Sequence, residues 1–357
     1  MLQKLGFLPG FNKQVTSTGA ESQWTGGENV RFRYGTPEKI GGLSRINLED
    51  KFCQLLILSP THELSRQITS VVKGISSAMS GLVIKTIVGG TSINNDVNEM
   101  NENPPHIIVG CPGRVNDMIR RRHINSSKIK MIVLDEADEI LSAGFKEQIY
   151  SIFQSLHKDV QIALFSATLP PNMHHITDKL MRNPVKISVK AECLTLEGIR
   201  QYFVALEDDR QKYMTLKDLY SVLSLSQCII YCNSVKRVID LHDAMKSDQF
   251  PVCCIHSNMD KGEREKTLSD FRVGSSRVLI SSNVTARGID IQQVSVVINF
   301  DLPNDIHVYL HRIGRSGRWG RKGTGINFIT RRDIYKIKEI EKYYETQIDE
   351  LPTNFSV

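Results

Sequence analysis

The sequence predicts an α/β protein with two parallel-sheet domains joined by a short linker. From about residue 52 onward, short apolar runs such as "CQLLILS" and "KMIVLDE" alternate with amphipathic stretches such as "GFKEQIYSIFQSLH". Nearly continuous apolar runs are typical of strands buried on both faces, and strands alternating with helices indicate a parallel sheet. A polar stretch, "KAECLTLEGIRQ", leads into a second series that begins at "QYFVALE". We therefore predict domains at 46–189 and 200–357, with a linker at 190–199.

The first 45 residues do not continue this pattern. The stretch "ESQWTGGENVRFRYGTPEKIGG" is rich in glycine and polar residues and has no helical periodicity. Its second half is compatible with a small strand and a turn, with Gly-Thr-Pro as the turn. We expect residues 1–45 to form an unassigned segment outside the α/β series.

The composition indicates a globular intracellular protein. Of the 357 residues, 40% are hydrophobic and 24% are charged. No apolar run approaches the roughly 18 residues of a membrane span, and the first residues lack the apolar core of a signal peptide. Seven scattered cysteines without a CxxC pair favour reduced thiols, in the nucleus or the cytoplasm. The net charge of +6 is compatible with a polyanionic partner.

An acidic motif follows the apolar run in "MIVLDEADEIL" (residues 131–141). At the end of a buried strand, Asp135 is placed to hold Mg²⁺ on nucleotide phosphates, through water, and Glu136 to orient and deprotonate an attacking water. The other interpretation is that these acids only begin a helix, whose N-terminus favours negative charge.

Three further motifs also follow predicted strands of the first series. They are "SPTHEL" (59–64), "VGGT" (88–91) and "CPGR" (111–114). The carboxyl ends of strands are where α/β sheets place ligands. Gly90 and Gly113 would allow a close approach to a phosphate chain, and Arg114 could pair with a phosphate. Each motif alone is also compatible with an ordinary turn. "SAT" (166–168) follows the next strand and could hydrogen-bond the acidic motif.

The second half carries "SSNVTARGID" (281–290) and "HRIGRSGRWGRKG" (311–323). Arg315 and Arg318 are three residues apart and would share one face of a helix. An arginine pair can stabilise the charge that spreads in phosphoryl transfer. The alternative is a solvated basic patch, although the flanking His311 and glycines favour close packing.

Taken together and in this order, these motifs resemble those of the DEAD-box RNA helicases. "LTLEGIRQ", "VSVVINFDLP" and "YYETQIDELP" are similar to the translation initiation factor 4A group, and "CNSVKRV", "GRSGR" and "QIDELP" lean towards its exon-junction-type member. The resemblance covers about 46–357. It implies two RecA-like domains that close on ATP, Mg²⁺ and single-stranded RNA or a short duplex. RNA would be held through phosphates and 2′-hydroxyls. Translation or exon-junction proteins are possible partners, and the exon-junction lean slightly favours the nucleus.

The resemblance also implies roles for individual residues. Asp135 and Glu136 would serve Mg²⁺ and water, and Arg315 and Arg318 would be arginine fingers. The other implied roles are nucleotide binding (Gly288, Asp290), coupling of ATP to RNA (Ser166, Thr168, His311) and RNA binding (Pro60, Thr61, Gly90, Gly113, Arg114, Asn233, Arg264).

The chain departs from the family at the phosphate loop. The family carries a G-x-x-x-x-G-K-[ST] segment upstream of "SPTHEL", whereas no Gly-Lys followed by Ser or Thr occurs here. Its amides and lysine carry most of the β/γ-phosphate binding. An inner strand and a helix of the first domain would be lost with it, which leaves that domain N-terminally incomplete and exposes apolar surface. Smaller departures are His62, Cys111, Lys261 and Asn283, where the family has arginine, threonine, glutamine and aspartate.

Three hypotheses follow. The first is an ATP-dependent RNA helicase of the initiation factor 4A type, whose ATPase activity the missing loop would impair. The second is a non-enzymatic helicase-like protein that binds RNA or a protein partner. The third is a misjoined coding sequence, in which residues 1–45 belong to something else.

Overall fold

The computed structural model describes residues 43, 45–141, 144–168, 171–186, 198–222, 227–285, 294–317 and 322–352. The chain divides into two compact units, Met1–Ser188 and Val189–Val357, which are described separately below. Within the described residues, no helix has both the length and the apolar character that a membrane crossing requires.

The first unit contains a five-stranded sheet in the order β2-β3-β1-β4-β5, and every pair of neighbouring strands is parallel. Its described strands are β1 (Leu55–Leu58), β2 (Ile84–Ile87), β3 (Ile107–Gly110), β4 (Met131–Asp135) and β5 (Gln161–Phe165). Its described helices are α1 (His62–Ile75), α2 (Ile93–Glu102), α3 (Pro112–Arg120), α4 (Ala137–Ile140), α5 (Lys146–Ser155) and α6 (Pro171–Leu180), with a 3-10 turn at Ser126–Lys128.

Alternation along the strands divides the core of this unit between the two faces of its sheet. Leu56, Ile132 and Leu134 belong to one buried cluster, whereas Leu55, Ile57 and Val133 belong to the other. All residues of β1, β3 and β4 are buried, which explains why these strands read as continuous apolar runs.

The second unit contains a seven-stranded parallel sheet in the order β12-β6-β11-β10-β7-β9-β8. Its strands are β6 (Ile199–Ala205), β7 (Gln227–Tyr231), β8 (Val252–Ile255), β9 (Val278–Ser281), β10 (Val294–Asn299), β11 (Gly323–Ile329) and β12 (Asp349–Glu350). Its described helices are α7 (Gln211–Val222), α8 (Val235–Ser247), α9 (Lys261–Arg272), α10 (Ile306–Ile313) and α11 (Ile334–Tyr344), with a 3-10 turn at Asn283–Thr285. The prediction of two α/β units with parallel sheets is confirmed.

Strand β5 differs from the strands beside it. It pairs with β4, and it forms one end of the described sheet. Gln161 is exposed and the four residues Ile162–Phe165 are only half-buried, in contrast to the fully buried β4. The apolar side chains of β5 are thus less buried than those of β4, and the expected exposure of apolar surface stays a prediction because residues 1–42 lie outside the described part of the chain.

Two glycines near the end of β3 provide a stability test. A Cβ on Gly110 would lie 2.3 Å from the carbonyl oxygen of Ile87 and 2.7 Å from Val115 Cγ2, whereas a Cβ on Gly113 would meet nothing within 4 Å. We expect Gly110→Ala to destabilise the first unit by about 2 kcal/mol or more, as overpacking against backbone does. The matched control Gly113→Ala should leave stability within about 0.5 kcal/mol or raise it. Urea unfolding monitored by circular dichroism would measure both, and equal effects would contradict the packing argument.

Candidate functional site

The acidic motif lies where β4 leaves the sheet. Asp135 is the last residue of the strand and is buried. Glu136 follows in the left-handed backbone region, with φ 53° and ψ 53°, and α4 begins at Ala137. A glutamate in this region carries backbone strain of roughly 1–3 kcal/mol, which proteins keep mainly at functional sites. The sharp turn fixes two successive carboxylates at the carboxyl end of an inner strand.

The third acidic residue of the motif joins β4 to β5. Ser166 Oγ lies 2.9 Å from Asp138 Oδ1, and Thr168 Oγ1 donates to Asp138 Oδ2 at 2.8 Å. The Asp138 amide also donates to Ser166 Oγ. The expected contact between "SAT" and the acidic motif is therefore present, and Asp138 is the residue that makes it. We assigned no role to Asp138 from the sequence, although the spacing of "SAT" after the next strand already indicated a partner there.

The carboxylates of this turn fit a magnesium ion. Mg²⁺ prefers one or two carboxylates together with water and phosphate oxygens. Asp135 and Glu136 supply such oxygens, and Glu136 Oε2 is buried without a hydrogen-bond partner in the described part of the chain. A buried carboxylate oxygen of this kind favours a cation or a bound water as its partner. Asp135 would hold the ion, and Glu136 would bind and orient the attacking water.

Three other predicted motifs meet at the same edge of the first sheet. Leu58 and Ile87 end their strands level with Gly110, so the loops that follow them start side by side. Ser65 Oγ of α1 lies 3.5 Å from Cys111 Sγ, just before α3. Thr61 caps α1 by accepting a hydrogen bond from the Leu64 amide. The structure thus brings "SPTHEL", "VGGT" and "CPGR" together.

The glycines of these loops differ in their surroundings. Gly90 has a φ of +68°, which a residue with a side chain adopts only with strain. Gly113 lies in the first turn of α3, with open space where a side chain would be. Pro60 is buried just before the cap of α1. Backbone can therefore be approached closely at Gly113, whereas Gly90 is required by the turn itself.

Arg114 is held by the neighbouring loop. Its Nη1 donates to Asp96 Oδ2 at 3.0 Å and to Thr91 Oγ1 at 3.2 Å, and its Nη2 donates to the Thr91 carbonyl at 2.8 Å. Both side chains of the ion pair are 9% exposed. The guanidinium therefore links α3 to the loop after β2. We did not identify Asp96 from the sequence, because a single acid in the first turn of a helix is common there.

In the second unit, a buried arginine on α10 connects several asparagine side chains by hydrogen bonds. Arg312 on α10 is fully buried, and it donates to Asn233 Oδ1 at 2.8 Å, to Asn299 Oδ1 at 3.1 Å and to the Asp301 carbonyl at 2.8 Å. Its Nε and Nη2 also donate to Asn283 Oδ1, at 3.0 and 2.6 Å. All of these acceptors are neutral. Burial lowers the pKa of Arg312 to about 10, because loss of water disfavours the charged form.

The remaining predicted residues of the second unit are only partly described. Asn233 Nδ2 donates to the Leu302 carbonyl at 2.8 Å, so this side chain has a structural role besides its bond to Arg312. His311 and Arg315 are buried, and Arg315 Nε donates to the His311 carbonyl at 3.1 Å. Arg264 lies on α9 and is half-buried. Three predicted residues lie outside the described part of the chain: Gly288, Asp290 and Arg318.

Comparisons with known proteins agree with this arrangement. A family described as "DEAD/DEAH box helicase" matches residues 22–176, and one described as "Helicase conserved C-terminal domain" matches residues 211–320. The first match begins within the segment 1–45 that the sequence analysis leaves unassigned.

Relatives cover most of the chain. The Caenorhabditis elegans protein "Eukaryotic initiation factor 4A" is 49% identical over 314 residues, which are 88% of this chain and 78% of the relative. "ATP-dependent RNA helicase eIF4A" of Pyricularia oryzae is 48% identical over 315 residues, with 88% and 79% covered. The solved structure of S. cerevisiae Dbp5 bound to RNA and ADP BeF3 has a TM-score of 0.81 and 34% identity, with 87% and 81% covered.

The neutral partners of Arg312 lead to a stability prediction. Asn283→Asp would give the buried guanidinium a charged acceptor at the same position, and hydrogen bonds to charged groups contribute about 1 kcal/mol more than neutral ones. We expect Tm of the second unit to rise by about 2–4 °C. Asn283→Ala is the matched control, and it should destabilise by about 1–3 kcal/mol because two donors lose their acceptor. A lower Tm for the aspartate variant in calorimetry would show that desolvation of the added charge outweighs the pair.

Proposed function

Because the chain belongs to the DEAD/DEAH-box helicase family, we propose that it binds single-stranded RNA or short RNA duplexes and is deficient in ATP hydrolysis. The resemblance to the initiation factor 4A group is confirmed by the relatives, whereas the lean towards the exon-junction-type member gains no support from them. The two α/β units are those of the helicase family, and the loss of ATP hydrolysis is our proposal for this chain.

RNA binding is supported by the loops of the first unit. The motifs at Thr61, Gly90 and Gly113 meet at one edge of the sheet, where backbone groups and a helix N-terminus suit phosphate contacts. Asn233 and Arg264 are the candidates on the second unit. The Dbp5 structure named above contains RNA, which favours the same class of ligand here. Contacts of this type read phosphates and 2′-hydroxyls, so we expect little preference for base sequence.

The proposed deficiency in ATP hydrolysis rests on one observation, which is that no Gly-Lys dipeptide occurs in the 357 residues. The sequence therefore lacks the G-x-x-x-x-G-K-[ST] motif, whose amides and lysine carry most of the β/γ-phosphate binding in the family. The residues present therefore fit the magnesium ion, whereas the Walker A contacts to the β- and γ-phosphates are missing from the sequence. Where a metal and triphosphate are bound, Mg²⁺ neutralises developing charge on the phosphates.

The residues that would complete the nucleotide site are retained in the sequence. Asp135 would hold the metal, Glu136 would orient and deprotonate water, and Ser166 and Thr168 would act through Asp138. In the second unit, Gly288 and Asp290 would contact nucleotide, Arg315 and Arg318 would contact phosphate, and His311 would couple the site to RNA. The alternative of a non-enzymatic protein that binds RNA or a translation or exon-junction partner uses the same loops without hydrolysis.

Measurements of ATP binding and RNA-stimulated phosphate release test this proposal. We expect the full chain to bind single-stranded RNA with an affinity that falls steeply with salt, and to release phosphate at background rates. The comparison protein is a chimera in which the N-terminal segment of the C. elegans relative replaces residues 1–45. Hydrolysis by the chimera would show that the rest of the site is competent.

Glu136→Gln sharpens the comparison. In the chimera, loss of the general base should slow phosphate release by roughly 10²–10⁴-fold. In the natural chain the same substitution should change nothing, because there is no hydrolysis to lose. Robust RNA-stimulated hydrolysis by the natural chain, abolished by Glu136→Gln, would show the proposal of ATPase deficiency to be wrong. If neither the natural chain nor the chimera binds RNA, the RNA-binding part of the proposal is wrong.

A further inference from the structure

The end of α3 carries three consecutive arginines, residues 120–122, which we call the arginine turn. Arg120 is the last residue of the helix, Arg121 is its C-cap, and Arg122 follows. All three are exposed. Arg121 Nε donates to Asp117 Oδ1 at 2.9 Å, and within the described residues neither Arg120 nor Arg122 forms an ion pair. Two guanidinium groups at this turn therefore face solvent.

Arg122 adopts a backbone conformation that costs stability. Its φ of 62° lies in the left-handed region. Its N–H donates to the Ile119 carbonyl at 2.9 Å, and the His123 N–H donates to the Met118 carbonyl at 2.9 Å. This pattern is the Schellman motif, in which the left-handed position is usually a glycine, because any other side chain is strained there. The chain thus keeps a positive charge where glycine would be more stable, as proteins do mainly at functional positions.

The sequence provides no acidic run of its own to neutralise the arginine turn. Of the stretches outside the described part of the chain, residues 1–42 contain more basic than acidic residues, and their three acids are widely spaced. Residues 187–197 contain Glu192 and Glu197 against Lys190, and the remaining undescribed stretches contain one acid, Asp290. A polyanion that matches the turn would therefore come from another molecule.

The surroundings of the turn favour a phosphate backbone over a protein surface. Protein interfaces centre on apolar and aromatic anchors. Residues 117–130, all of which the structure describes, include no exposed large apolar side chain, and Ile124 and Ile129 are buried. Arginine suits phosphate because its guanidinium donates two parallel hydrogen bonds to it. Successive guanidinium groups match the successive phosphates of a nucleic acid strand.

Helix α3 connects the arginine turn to the candidate site. Gly113, in its first turn, lies on the same face as Asp117 and Arg120, four and seven residues later. Gly113 and Arg120 are both exposed, and they lie about 11 Å apart along the helix axis. Asp117 lies between them and is paired with Arg121. An RNA strand held at Gly113 that continues along this face would reach the arginine turn.

We propose that the arginine turn is a second RNA-binding surface, which contacts phosphates of RNA that extends beyond the candidate site. This inference rests on the proposed binding of RNA by the loops of the first unit. The turn adds affinity without base preference, because phosphate contacts carry no sequence information. Its contribution increases with RNA length and decreases as salt is added.

Arg122→Asn separates RNA binding from folding. Asparagine removes the charge and tolerates the left-handed region. We expect the Tm of the first unit to rise by about 1–4 °C. We also expect the Kd for an RNA of about 16 nucleotides to rise roughly three- to tenfold, with a salt slope smaller by about 0.7. Calorimetry measures the first effect, and fluorescence anisotropy at several salt concentrations measures the second.

Two control variants accompany this measurement. Arg122→Lys keeps both the charge and the strained backbone, so it should leave Tm unchanged and retain most of the affinity. Lys73→Gln removes an exposed charge from α1, which packs on the other face of the sheet, and should leave the Kd unchanged. A purely structural role of Arg122 would change Tm and affinity in the same direction, whereas the proposal requires opposite directions.

RNA length distinguishes the arginine turn from the candidate site. The shortest RNA that the unsubstituted chain binds, on the order of four nucleotides, should bind equally well to Arg122→Asn. Unchanged affinity of Arg122→Asn for the long RNA would overturn the inference and leave the proposed function intact. Equal weakening at every length would place Arg122 in the candidate site and exclude a second surface.

Two further outcomes would also contradict the inference. If the unsubstituted chain binds no RNA of any length, the proposed RNA binding and the second surface are both wrong. If Arg122→Asn weakens binding of a polyglutamate peptide and not of long RNA, the turn recognises an acidic protein segment instead.

Discussion

The parallel hydrogen bonding of β4 with a neighbour on each side is the constraint on which the first unit depends. Because β4 is level with β1 on one side and β5 on the other, the turns that follow these strands emerge at a common edge. Asp135 ends β4 opposite Phe165, and "SAT" begins one residue later. The contact between Asp138 and the two hydroxyls is a consequence of this register. A slip of one residue would invert every side chain of the strand and separate the motif from its partners.

The sequence predicts the strands of the core because they are buried on both faces. Continuous apolar runs identify β1, β3 and β4 without reference to their neighbours, and the polar residues that follow mark the site edge. The partners of those polar residues are not local. Asp138 lies 28 residues from Ser166, Arg114 lies 18 from Asp96, and Arg312 lies 79 from Asn233. Which carboxylate or amide meets which donor is decided by tertiary packing, so Asp138 and Asp96 emerge only from the structure.

The two units illustrate different solutions for a buried cation. Arg114 has a carboxylate partner at 3.0 Å, so its desolvation is offset by a charge-assisted pair. Arg312 is more deeply buried, and dipoles of asparagine side chains and a backbone carbonyl take the place of a formal charge. In the second unit, Arg237 and Lys212 instead share Asp209 and Asp301 in a four-residue network. Arg312 is therefore held in the interior by hydrogen bonds to neutral acceptors, with the charge of Asp301 nearby rather than in direct contact with the guanidinium.

The ion pair between Arg114 and Asp96 has a consequence for any anion that reaches the loop after β2. A phosphate oxygen can bind the Arg114 guanidinium only if the Asp96 carboxylate is released. Phosphate binding at this position therefore exchanges one anion for another. The free energy gained at Arg114 would then be the difference between two charge-assisted contacts, which is small. Because Asp96 and Thr91 also define the turn after β2, releasing the guanidinium would loosen the backbone around Gly90. Ligand binding at α3 is therefore coupled to the conformation of the turn at Gly90.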